Sequence, residues 1–271
     1  MKITPAVSII IPVYNNLKYT KFCLKSIWQN TSGDYEIIVV NNGSSDETKD
    51  YLKHFSQIRA IHNQENLGFA RAVNQGLSAA RGDYIIILNN DCIVTAEWTQ
   101  RLLRVAKNKN VGIVGVMSNF ARSPQLIKVK NKNISNIPKI AQKIRKKYNN
   151  IFFYTTRVVG FCMLIKRALI EKIGGFDSRF GLGTFEDDDF SLRSSLCGYQ
   201  NAIAKDVFIF HFGSVTFKKE NIKFKLLLRE NWHKFKDKWG LPNDIPFGEK
   251  DYLTKLASKN FTQEELYLPF Y

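Results

Sequence analysis

Residues 7–13 (VSIIIPV) form an unbroken apolar run bounded by Pro5 and by Asn15-Asn16. A short run without polar alternation fits a strand buried on both faces of a parallel sheet. Residues 18–31 then place Phe22, Leu24, Ile27 and Trp28 on one side of a helical repeat. EIIVV (36–40) predicts a second buried strand. The turn formers Asn41-Asn42-Gly43-Ser44-Ser45-Asp46 close it and supply an N-cap for a helix starting near Glu47. A third strand is expected near 58–62, followed by Asn66-Leu67-Gly68 and the helix FARAVNQGLSAA, which Arg81-Gly82 stops. YIIILNNDC (84–92) predicts one further strand. Strands are also expected over 161–165 and 206–210 (DVFIF). Between them, Gly174-Gly175-Phe176-Asp177 closes a helix and Glu186-Asp187-Asp188-Asp189 opens another. Alternation of strand and helix implies right-handed βαβ units and an open α/β sheet.

Ligands of such sheets bind beyond the carboxyl ends of the strands. Three of these strands end in polar residues: Tyr14-Asn15, Asn41-Asn42 and Asn89-Asn90-Asp91. They are expected to converge on one crevice. No G-x-G-x-x-G follows the first strand, and no G-x-x-x-x-G-K-[ST], G-x-S-x-G or H-E-x-x-H occurs. Dinucleotide-binding, P-loop, α/β-hydrolase and zinc-protease readings lose their main support.

Composition narrows the picture further. At 271 residues the chain is one large domain or one domain with an appendage. Hydrophobic residues at 44% and charged residues at 24% exclude general disorder. The four cysteines (23, 92, 162, 197) contain no C-x-x-C pair, which argues for reduced thiols rather than a zinc site or a disulfide framework. No stretch approaches the roughly 18 apolar residues of a membrane span. Forty Lys+Arg against 24 Asp+Glu give +16, which predicts attraction to something anionic. A nucleic-acid-binding protein would need a recognised motif or aromatics interleaved with the basic residues. Neither occurs, so nucleic acid is not expected as a partner.

IIIPVYN, IIVVNNGSSDET and NLGFARAVNQGLSAARGDYIIILNND, in this order and spacing, resemble the inverting family 2 glycosyltransferases of the GT-A fold. The matched blocks run from about 7 to 211. The resemblance implies a mostly parallel central sheet flanked by helices, with a GT-A catalytic domain over 1–216. Its nucleotide-binding half covers about 1–92 and its acceptor-side half about 93–216. A basic helical extension is expected over 217–271. A nucleotide-diphosphate sugar, UDP- or dTDP-linked, is the implied donor. Pro12, Tyr14, Asn41, Gly68, Arg71, Asn74, Asn89 and Asn90 are its implied contacts. A hard divalent cation, Mn2+ or Mg2+, would neutralise the leaving diphosphate. Asp91 is its implied ligand, completed by His211 in the His-x-Gly-Ser context. The family commonly carries acids where this chain has Asn41 and Asn89, which motivates the alternative of a catalytically weak or inactive scaffold.

The acidic block is well placed against a helix dipole, and charges packed so closely raise one another's pKa. By resemblance Asp187 is the general base of an inverting transfer. Glu186 and Asp189 then orient the acceptor or, for Asp189, hold Arg193 at i+4. The implied acceptor is a surface polysaccharide, a lipid-linked glycan or a protein hydroxyl. Eight Lys+Arg and no acid between 125 and 150 suggest a basic cover over the acceptor. Residues 217–240 hold eight more against three acids, with apolar residues at helical spacing. They read as a core-packing helix, with Lys218 or Lys219 reaching the diphosphate or the basic face meeting an anionic membrane. The apolar tail 252–271 packs on the body or on a second protomer, as in a homodimer. A cytoplasmic protein, peripheral at the inner face of the membrane, is the expected setting.

Overall fold

The computed structural model describes residues 5–129, 133–213, 224–246, 256 and 259–270. The first half alternates as the hydrophobic pattern predicts: β1 (Val7–Val13), α1 (Leu17–Asn30), β2 (Tyr35–Asn42), α2 (Thr48–Leu52), β3 (Ile58–Asn63), α3 (Phe69–Ala79) and β4 (Tyr84–Leu88). Then follow β5 (Cys92–Ile93), α4 (Trp98–Ala106), β6 (Val111–Ser118), α5 (Ile137–Lys147), β7 (Phe152–Thr155) and β8 (Cys162–Lys166). The described chain continues through α6 (Arg167–Ile173), α7 (Glu186–Leu196), β9 (Gln200–His211), α8 (Phe224–Trp239) and the single turn α9 (Gln263–Leu266).

One sheet runs β3-β2-β1-β4-β8-β6-β9-β5, with β7 also on β9. Strands β3, β2, β1 and β4 pair in parallel; β8 is antiparallel to both β4 and β6, and β9 is parallel to β6. The winding reverses between β1 and β4, because β2 and β3 extend to one side of β1 and β4 lies on the other. Pairing of β1 with β4 stops at Ile10, three residues before β1 ends. The sheet therefore parts at its switch point, the place where open α/β sheets bind ligands.

Both faces are covered. On one, Leu24, Ile27, Trp98 and Leu102 of α1 and α4 pack against Ile9, Ile11 and Val39. On the other, Val73, Leu77, Leu169 and Ile170 of α3 and α6 pack against Ile10, Ile38, Ile85 and Met163. This double burial is why β1, β2 and β4 read as continuous apolar runs. A third cluster joins Trp232, Phe235 and Trp239 of α8 to Phe180, Phe185 and Leu192.

Two expectations change and two are filled in. The 84–92 run is two strands, because the chain turns at Asn89-Asn90-Asp91: Asn89 N–H donates to Phe161 O at 2.9 Å and Cys92 N–H to Asn89 O at 3.3 Å. Strand β5 thereby leaves the neighbours of β4 and pairs with β9. The 206–210 strand extends to twelve residues. In the basic 125–150 stretch, α5 buries Ile137, Ala141 and Ile144 against Phe208 and Phe210 of β9. The tail packs on its own body: Leu266 is buried, and Leu268 bridges to Gly174. A Cβ at Gly174 would stand 1.7 Å from Leu268 O, so glycine is required there. The 216/217 boundary falls outside the described residues. All four cysteines are free, and among the described residues no helix is long and apolar enough to cross a membrane.

Candidate active site

A cavity of about 580 Å³ opens where β1 and β4 part. One wall is made of strand ends: Pro12 and Tyr14 at the end of β1, Asn42 at the end of β2, and Asn89, Asn90 and Asp91 between β4 and β5. Local hydrogen bonds fix these ends. Asn15, at φ 55°, accepts from Ser45 N–H at 2.8 Å, and Asp46 accepts from Leu17 N–H at 3.0 Å. Asn42 accepts from Leu67 N–H at 3.1 Å and donates to Asn66 Oδ1 at 2.8 Å, tying β2 to the loop before α3. Asn90 donates to Thr20 Oγ1 at 3.0 Å.

Asp91 and His211 meet at the cavity floor. His211 Nδ1 lies 2.9 Å from Phe120 O, and its Nε2 lies 3.1 Å from Asp91 Oδ1. A carbonyl only accepts, so Nδ1 carries the proton and a neutral His211 turns its Nε2 lone pair towards the carboxylate. Two acceptors that close require a cation between or beside them, either a proton or a metal ion. Burial alone lowers the affinity of His211 for a proton, but the charge and hydrogen bond of Asp91 and the Phe120 carbonyl outweigh it, and its pKa is raised. A carboxylate oxygen and an imidazole nitrogen with its other nitrogen anchored are a sound donor pair for Mn2+ or Mg2+. Cys92 Sγ lies within 4.8 Å of both groups. Burial and the charge of Asp91 hold that thiol well above its ordinary pKa, and Cys92 does not line the cavity.

A second wall is made by residues 120–122, 126, 157, 159–161 and 182–188. Asp187, at the start of α7, accepts Gly160 N–H on Oδ2 at 2.9 Å and Asp188 N–H on Oδ1 at 3.0 Å. These two bonds aim a partly exposed carboxylate into the cavity. Glu186 beside it is buried, and its Oε2 has no hydrogen-bond partner among the described residues. Desolvation, then the charge of Asp187, hold Glu186 well above the usual carboxylate range. Burial, then Asp187, push Asp188 up to about 6, against the pull of Arg157 at 2.9 Å. Half-exposed Phe120, Leu126, Leu182 and Phe224 form an apolar lip.

Residues 8–174 match the sequence profile of Glycosyl transferase family 2. The chain belongs to this family. It is 41% identical over 115 residues to EpsJ of Bacillus subtilis, an uncharacterized glycosyltransferase, covering 41% of this chain and 33% of EpsJ. It is 26% identical over 209 residues to the glycosyltransferase AglE of Haloferax volcanii, covering 75% of this chain and 66% of AglE. The chain thus spans between a third and two thirds of the length of these relatives. Among solved structures it resembles the mannosyltransferase PcManGT from Pyrobaculum calidifontis in complex with GDP-Man and Mn2+. That likeness has a TM-score of 0.65 at 20% identity and covers 94% of this chain and 70% of PcManGT. Staphylococcus aureus TarS in complex with UDP follows, with a TM-score of 0.55 at 15% identity over 75% of this chain and 60% of TarS. The fold is the GT-A fold that the resemblance implied.

Within this family 2 fold the expected site residues divide. Pro12, Tyr14, Asn89, Asn90, Asp91, Glu186, Asp187 and His211 all line the one cavity. Asn41 does not: it is buried, accepting Ser44 N–H at 3.1 Å beside His62 Nδ1 at 3.2 Å. Gly68 does not line it either. It lies against the loop at 181–182, where a Cβ would stand 2.2 Å from Gly181 O. Arg71 is exposed on α3 and does not line the cavity. Asn74 is a structural peg, donating to Phe176 O at 2.9 Å and accepting Phe176 N–H at 2.8 Å. Asp189 is withdrawn from the site: wholly buried, it pairs with Arg193 Nε at 2.9 Å and Lys238 Nζ at 2.6 Å and accepts Trp239 Nε1–H at 3.1 Å. Asn42, Arg122 and Arg157 were missed. The Asn41-Asn42 pair could have suggested Asn42, because neighbouring strand residues face opposite ways. Lys218 and Lys219 lie outside the described residues.

Proposed function

We propose that the protein transfers a sugar from a nucleoside-diphosphate sugar, UDP- or dTDP-linked, to an acceptor hydroxyl with inversion at C1. The observation that carries this reading is that Asp91 and His211 share one cavity with Asp187. The family membership supports glycosyl transfer. PcManGT with GDP-Man and Mn2+ and TarS with UDP support a nucleotide-sugar donor and a metal.

In this reading the β1 and β2 ends hold the nucleotide, and its diphosphate lies over Asp91 and His211. When bound there, a divalent cation supplies positive charge to the departing diphosphate. Asp187 accepts the acceptor's hydroxyl proton as that oxygen bonds to C1 and the C1–diphosphate bond breaks on the opposite face. The products are the inverted glycoside, the nucleoside diphosphate and a proton on Asp187. Glu186, biased towards its protonated form, donates a hydrogen bond to a bound hydroxyl. The acceptor is a surface glycan, a lipid-linked glycan or a protein hydroxyl, met in the cytoplasm or at the membrane's inner face. The test is release of nucleoside diphosphate from UDP- and dTDP-sugars with Mn2+ and a panel of such acceptors. Release that depends on acceptor and is lost in Asp187→Asn and Asp91→Asn is expected. Equal release by either variant removes that residue from its role.

A further inference from the structure

The wall that carries Asp187 stands on an awkward backbone. Across residues 181–185, four φ angles are positive: Gly181 at 61°, Gly183 at 132°, Thr184 at 78° and Phe185 at 72°. A β-branched and an aromatic residue in succession rarely adopt this region, and such strain persists only where the surroundings over-determine it. This same segment contributes Leu182, Gly183, Thr184 and Phe185 to the cavity and leads straight into Glu186 and Asp187.

The restraint comes from α8. Asn231 is completely buried, and its Nδ2 donates to Phe180 O at 2.8 Å, Gly183 O at 2.8 Å, Thr184 O at 3.2 Å and Thr184 Oγ1 at 3.1 Å. One amide, with two N–H groups to share, thus gathers carbonyls on both sides of the turn, which a side chain without a donor, such as Ala or Asp, does not do. Its neighbours hold the next residue: the rings of Trp232 and Phe235 stand 5.4 Å and 5.5 Å from Phe185. Further along, Lys238 Nζ bridges Asp177 at 2.7 Å and Asp189 at 2.6 Å. Helix α8 is therefore pinned on both flanks of the loop. The family profile ends at 174, before both the loop and the helix.

We infer that Asn231 is a positioning residue for the transfer reaction, setting residues 180–185 so that Asp187 faces the bound acceptor, and that α8 belongs to the active site. This rests on the proposed role of Asp187, while the strand-end wall does not depend on it.

The test compares full-length wild type, N231A, N231D and the double variant N231A/T184G, with H233A on the exposed side of α8 as control. Thr184→Gly is the informative partner, because glycine takes a φ of +78° without strain. Three quantities are read: amide hydrogen exchange at 180–188, kcat and KM for the donor, and the shift in melting temperature with UDP or dTDP plus Mn2+. For N231A and N231D the expected results are at least tenfold faster exchange confined to 180–188 and a kcat about 100-fold lower. Donor KM and the nucleotide-induced shift stay within about twofold, and N231A/T184G recovers at least tenfold in kcat. The control matches wild type. A kcat within threefold of wild type overturns the inference. So does parallel loss of kcat, donor binding and global melting temperature without rescue, which marks a merely structural residue. If wild type transfers no sugar, the proposed function fails separately, and unchanged exchange at 180–188 in N231A still overturns the clamp.

Discussion

The two walls of the cavity are built by different means. On one side, Pro12, Tyr14, Asn42 and Asp91 each lie at or next to a strand terminus, and the sheet brings them together. On the other, Asp187 sits on a helix fed by a loop to which Asn231, 47 residues beyond Thr184, is hydrogen-bonded. Sheet geometry positions the first wall through many small contacts. A few buried polar groups position the second. Within α7 the contrast repeats over two residues: Asp187 opens to the cavity, and Asp189 is enclosed with Arg193 and Lys238.

The largest effects should separate those two aspartates. Asp187→Asn is expected to lower kcat by about 10³-fold, the middle of the usual range for a general base, with melting within about 2 °C of wild type. Loss of fold would instead make Asp187 structural. Asp189→Ala leaves the buried Arg193 without its carboxylate partner, while Lys238 keeps Asp177, and should cost about 3–5 kcal/mol in urea unfolding. A midpoint equal to wild type would contradict the network.

A smaller effect concerns Asp188. Its pKa rises from 3.8 unfolded to about 6 folded, so the native state binds the extra proton between those values. Stability therefore falls as pH rises through about 4 to 6, and the loss is complete above that window. Asp188→Asn should melt several degrees higher than wild type at pH 7.5 and equally at pH 4. A lower melting temperature at both pH values would show that the Arg157 pair outweighs burial. The smallest effect is Arg71→Ala. On an exposed face that does not line the cavity it should change unfolding free energy by less than about 0.5 kcal/mol and leave nucleotide binding unaltered. Weakened binding would bring Arg71 back to the strand-end wall.

The same contrast governs how much could be read from the chain. β1, β2 and β4 were legible because strands buried on both faces leave uninterrupted apolar runs, and their ends predicted the crevice. The resemblance in motif order named Asp91, Asp187 and His211, and these three share the cavity. The break after Leu88 was invisible, since Asn89-Asn90-Asp91 is polar whether it ends a strand or turns between two. Arg71 and Asn74 share one helix, and periodicity does not say which of two polar residues meets a ligand. Asp189 looked like part of an acidic cluster because Lys238 and Trp239, which enclose it, are about fifty residues away. Asn231 had no sequence signal at all: its partners are backbone carbonyls, which every residue carries.

The central claim is a metal-dependent nucleotide site at Asp91 and His211 in the cavity that Asp187 faces. It is tested most directly by melting wild type and Asp91→Ala with UDP, dTDP, GDP and CDP, each with and without Mn2+. A ligand at about 100 times its Kd adds roughly 2.7 kcal/mol, a rise of several degrees for a domain of this size. The account predicts such a rise for wild type with UDP or dTDP only when Mn2+ is present, and none for Asp91→Ala. A rise that ignores Mn2+ or survives in Asp91→Ala, or no rise with any of the four, would contradict it.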